Sequence, residues 1–167
     1  MSDDENNAAL IEWMARRGPD DWHRVALSYN WDNGLSPLEW IVTRPTCDRA
    51  TALVVFWMTE PDARLGYASP SDAKADHAES EWRLVKLIAD RWRAGAYARS
   101  EIALDPTDYM GWPLDEWRRL EAKHSRRTFT THDDMHRATS GRTVLDGEDF
   151  QEGYPRELWP RIWDNAR

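Results

Sequence analysis

The sequence predicts a mainly α-helical protein, a compact bundle of about six to seven helices. Three observations predict it. Prolines stand where helices begin, apolar residues recur at three- and four-residue intervals between them, and eleven tryptophans are spread along the chain rather than gathered in one segment. At 167 residues the chain suits one domain around one core, so residues 1–167 are read as a single helical domain. With 41% hydrophobic and 31% charged residues, the composition excludes disorder. The tryptophans are expected to form a core of few, large pieces, each indole N–H held by a polar partner. Any left outside would suit a surface patch that binds a partner.

The elements follow in order. A first helix is expected over residues 6–17, ending at Gly18, with Leu10, Ile11 and Met14 inward. Pro19 opens a second, carrying Trp22, Val25, Ala26 and Tyr29 at helical intervals. Ser36-Pro37-Leu38-Glu39 has the form of a capping box and opens a third, which stops before Pro45. Asp48 caps a fourth through Trp57; it is apolar on nearly every side and is read as the central, most buried helix. The longest is expected from Pro70 to Ala94, polar in its first half and amphipathic in its second, and ended by Gly95. Residues 97–104 suit a short extended piece around Ile102 and Leu104. Residues 113–124 suit another helix. The polar stretch 125–153 lacks a period and is read as loop, with a hairpin allowed for in 125–150. Leu158, Trp159, Ile162 and Trp163 mark a short final helix, about 155–164, that docks on the core.

The net charge of −8 argues against broad nucleic-acid binding, because phosphates are repelled. The acidic excess sits in the first two-thirds of the chain and would suit a basic protein partner, although solubility alone accounts for any single charge. The one cysteine, Cys47, allows no internal disulfide, in keeping with a reducing compartment. The opening Met1-Ser2-Asp3-Asp4-Glu5 is not a signal peptide, and no stretch approaches a membrane span. Cytoplasmic residence, without membrane or nucleic acid as partner, is the expectation.

Two segments are unusual: Tyr29-Asn30-Trp31-Asp32-Asn33-Gly34, and Arg44-Pro45-Thr46-Cys47-Asp48-Arg49-Ala50-Thr51-Ala52-Leu53. Together, with Pro37 between them, they resemble a family of small bacterial proteins known as domain of unknown function 4274. Ala50 stands where that family usually has Gly. The run Tyr97 to Pro106 is similar to the family's downstream segment, so the resemblance spans about residues 25–106. It implies a compact helical domain and no activity. Turn and capping chemistry also accounts for these positions: Asp32-Asn33-Gly34 is a turn, Asn30 folds its amide onto nearby backbone, and Asp48 is an N-cap. The functional alternative makes Asn30, Trp31 and Asp32 a recognition corner.

For catalysis the candidates are few. His132 and His136, four residues apart, would share a metal if helical, with His124 and Asp146 or Glu148 completing a site. Asp133 replaces the Glu of the familiar zinc-hydrolase motif, and the Thr-rich flanks read poorly as helix. Cys47, at a helix N-terminus, would need a partner such as His23 to act as a nucleophile. There is no glycine-rich phosphate loop, nucleophile elbow or cysteine pair. The expectation is therefore a non-enzymatic protein-binding module without metal or cofactor, with an immunity protein against a basic toxin as one form. Its contacts would be Asn30, Trp31, Asp32, Asp62, Asp72, Asp76, Glu79 and Glu81, the carboxylates mimicking phosphates. The alternatives are a metal-dependent hydrolase using His132 and His136, and a structural adaptor subunit.

Overall fold

The computed structural model describes residues 2–163, and eight α-helices form among them. Helix α1 (Asp3–Met14) begins earlier than its apolar spacing predicts because Ser2 and Glu5 form a reciprocal cap. Ser2 Oγ accepts from Glu5 N at 3.4 Å, and Glu5 Oε2 accepts from Ser2 N at 2.9 Å. Helix α2 (Pro19–Ser28) starts with Pro in its first turn, after Gly18. Helix α3 (Ser36–Val42) corrects the expected capping box. Ser36 lies already inside the helix, Leu35 holds the cap position, and Glu39 N bonds to Leu35 O at 2.9 Å, so neither Ser36 nor Glu39 caps.

Helix α4 (Arg49–Met58) is the central one, with Ala50 through Trp57 all buried and α2, α3 and a later helix packed around it. Leu53, Phe56 and Trp57 are wholly buried, and each contributes about 2 kcal/mol or more by leaving water. Asp48 caps it as expected: Oδ1 accepts from Ala50 N at 2.9 Å. Its Oδ2 also accepts from Glu101 N at 2.7 Å, which ties the extended piece near 97–104 to the start of α4. Ile102 and Leu104 in that piece form isolated bridges with Arg142 and Thr139.

The single helix expected over 70–94 is two, α5 (Pro70–Ala75) and α6 (Glu79–Arg93). His77 takes a left-handed conformation at φ 57°. Its N–H bonds to Lys74 O at 3.1 Å, and Ala78 N bonds to Ala73 O at 2.9 Å. That is the pattern of a helix C-terminus closed by one left-handed residue, usually Gly. A histidine in that place hid the stop from sequence reading, which found only the next one, at Gly95 (φ 74°).

Helix α7 (Leu114–Lys123) follows Pro113. The polar segment after it contains a 3-10 turn, Asp133–His136. At its far end strands β1 (Phe150–Gln151) and β2 (Tyr154–Pro155) pair antiparallel, so the hairpin lies at 150–155. Its two turn residues, Glu152 (φ 52°) and Gly153 (φ 83°), are both left-handed, the geometry that matches strand twist. A side chain at Gly153 would come within 2.5 Å of Tyr29 Cδ2, so the hairpin sits flush on the end of α2. Helix α8 (Trp159–Trp163) closes the described chain, with Ile162 in the core.

The tryptophans behave largely as core pieces. The indoles of Trp13, Trp22, Trp57, Trp82, Trp117 and Trp159 each donate to an acceptor within the protein at 2.8 to 3.0 Å. No helix among the described residues is long and apolar enough to cross a membrane.

Candidate functional site

The segment between α2 and α3 is a fixed corner. Asn30 Oδ1 accepts from Asp32 N at 3.1 Å, and Trp31–Asn33 closes as one 3-10 turn, with Gly34 at φ 85°. Three elements brace it. From α1, Asn7 Nδ2 donates to Asn33 O at 2.6 Å. From the end of α2, the Tyr29 hydroxyl donates to Gly34 O at 2.8 Å. From the hairpin, the Tyr154 hydroxyl lies 3.1 Å from Asn7 Oδ1. Burial holds both phenols protonated, pushing Tyr154 up to about 12 and Tyr29 higher still.

This bracing leaves Trp31 and Asp32 on one wall of a groove of about 530 Å³. Gly34, Leu35, Ser36 and Glu39 continue that wall, and Ser80 and Glu81 of α6 form the other. The groove thus gathers three carboxylates, Asp32, Glu39 and Glu81, and no Lys or Arg lines it. None of the three makes an ion pair among the described residues. The Trp31 side chain is half-buried against the core and adds an aromatic surface.

Of the eight residues expected to make contacts, Trp31, Asp32 and Glu81 line this groove, and Asn30 holds its corner. Asn30 also reaches Glu152 Oε2, at 3.4 Å. The other four lie outside it and carry local structure or stand apart. Asp72 Oδ2 accepts from Ala68 N at 3.2 Å, Asp76 meets the Tyr67 hydroxyl, and Glu79 pairs with Arg83 at 2.7 Å. Asp62 sits on the 3-10 turn Pro61–Arg64. Glu39 is the member that sequence reasoning missed, because it was assigned to the capping box that does not form. The findable signal was its spacing from Ser36, one turn apart on one face of α3.

The catalytic candidates are engaged otherwise. Residues 133–136 form a 3-10 turn, so His132 and His136 do not stand on one α-helical face. His136 has both ring nitrogens bonded, Nδ1 to Trp112 O and Nε2 to Thr131 Oγ1, each at 2.8 Å. Its ring packs on Trp57 and Trp117 at 5.1 and 5.9 Å, and burial lowers its pKa. His132 is exposed and accepts from Asp134 N through Nδ1. Among the described residues no three His, Cys, Asp or Glu side chains gather as a metal site. Burial pushes the Cys47 thiol up to about 12, against thiolate formation. His23 bonds to Thr51 Oγ1 at 2.9 Å rather than to Cys47.

A second depression, about 410 Å³, lies between Trp13 and Phe150. Its charges are paired: Arg17 with Glu157 at 2.7 Å, Arg156 with Asp149 at 3.2 Å, and Asp21 with Arg24 beside it at 2.9 Å. The unpaired acidic groove is therefore the better candidate for contact.

The fold and groove define a helical protein with a braced, acidic, aromatic-edged groove. Residues 17–93 match the model of a family described as a domain of unknown function (DUF4274). The matched segment runs from before α2 to the last residue of α6, so it contains every residue lining the groove and stops short of the Tyr97–Pro106 run. No curated protein and no solved structure matches the chain.

Proposed function

We propose that this chain is a non-enzymatic binding module that receives a cationic segment of a protein partner in the Trp31–Asp32–Glu39–Glu81 groove. The finer reading is an immunity protein of the bacterial cytoplasm, and the partner a basic toxin that it occludes. One observation carries the proposal: three carboxylates share a groove that contains no internal cation. A guanidinium or ammonium group from outside would meet carboxylates there without an internal competitor, and their charge would steer its association. Trp31 offers the aromatic face such a cation also favours. The bracing by Asn7, Tyr29 and Tyr154 supports the reading, because a preorganised corner loses less entropy on binding.

Co-expression with the products of adjacent genes tests it. The expected result is a stoichiometric complex that relieves the toxicity of its partner and weakens steeply with salt. Asp32→Asn combined with Glu81→Gln should lower affinity about tenfold or more. No complex and no relief with any neighbour would overturn the proposal, as would a complex indifferent to both substitutions and to salt. A complex with a non-toxic partner would replace the immunity role by an adaptor role.

A further inference from the structure

The other end of α6 meets the segment after α7 over a separate pocket of about 320 Å³, lined by Arg93, Ser125, Arg127, Thr128, Phe129 and Thr130. In a chain with net charge −8, this pocket is lined by two arginines and no carboxylate. It is also rich in donors. Thr128 Oγ1 accepts from Trp82 Nε1, and Thr130 Oγ1 accepts from Arg93 Nη1, both at 3.0 Å. Each hydroxyl therefore retains its own proton for donation. Arg127 is fixed by bonds from Nη1 to Glu121 O at 3.1 Å and His124 O at 3.2 Å, while its Nε is buried with no acceptor. Lys123 and Arg126 flank these lining residues in sequence.

A group that only accepts hydrogen bonds and carries negative charge fits the donors that line this pocket. Two guanidinium groups and three hydroxyls, brought from two chain segments, suit a tetrahedral, doubly charged oxyanion better than a planar carboxylate. We propose that this pocket binds the phosphoryl group of a small molecule, either free phosphate or a phosphomonoester.

Calorimetric titration of the full chain with inorganic phosphate, against sodium chloride at matched ionic strength, tests the assignment. The expected result is saturable binding to phosphate alone, with a rise in melting temperature that follows occupancy. Arg93→Gln should weaken binding about tenfold or more. Because Arg127 also supports the backbone, Thr130→Val serves as the second variant, with circular dichroism verifying the fold of each. Phenyl phosphate separates the two sources: tighter binding than phosphate assigns a phosphomonoester, and weaker binding assigns the free ion. Phosphate behaving as chloride does, or wild-type affinity in both variants, would overturn the site.

Discussion

Helix α6 carries Glu79 and Glu81 in its first turn and Arg91 and Arg93 in its last. The helix dipole favours this placement at both ends, so the charge signs alone say little about function. The pairing says more. At the first turn Glu79 is engaged by Arg83, while Glu81 faces the groove. At the last turn Arg91 donates to the carbonyls of Val42 and Thr43 at 3.1 and 3.2 Å, while Arg93 lines the cationic pocket. Residues two apart point to different sides of a helix, so at each end one charge secures the fold and the other is left to a site. Glu81 and Arg93 are separated by roughly 18 Å of helix at about 1.5 Å per residue. The lesson is that a charged residue becomes a candidate for recognition when it lines a pocket and no ion pair among the described residues neutralises it.

The comparison breaks first if the shared support fails. Ile88, wholly buried midway along α6, should cost about 3 kcal/mol when changed to Ala, read by chemical denaturation, and both ends should loosen together. Acid offers a similar global test. Burial depresses the pKa of His23 to about 4 from the usual 6.5, so the folded state resists protonation. Its contribution is complete above pH about 6.5 and is lost as pH falls toward about 4, on the order of 3 kcal/mol in total. His23→Asn should flatten that slope in a pH series of melting curves.

A smaller effect isolates the cationic end. Glu121 is 4% exposed and accepts from Trp117 Nε1 at 2.9 Å and Thr131 N at 3.1 Å, with Arg118 paired beside it. Glu121→Ala should cost about 2 kcal/mol by stranding those donors, and should disturb phosphate binding more than groove binding. The smallest effect belongs to the acidic end. Asp32→Asn with Glu81→Gln should change stability by no more than about 0.5 kcal/mol, since neither carboxylate has an ion-pair partner among the described residues to lose. A large destabilisation there would assign the pair to the fold and erase the contrast between the two ends.

Much of this molecule was determined locally and so was readable from the chain. Proline at first turns, Asp48 as a cap, Gly95 as a stop and the all-round apolar run of α4 specify helices through contacts within a few residues. The resemblance to the family of unknown function, read over about residues 25–106, was legible in the same way, and the family model matches residues 17–93. Tertiary structure decided the rest. The stop at His77 rests on a left-handed residue whose type gives no warning, and Glu39 joined the groove only because Leu35 took the cap. Whether Asp32, Glu81 or Arg93 finds a partner depends on residues distant in sequence, as does the engagement of His136 by Trp112 and Thr131. Local sequence fixes backbone conformation through sterics and nearby hydrogen bonds, whereas the freedom of a charge or a proton is a property of what the completed fold places beside it.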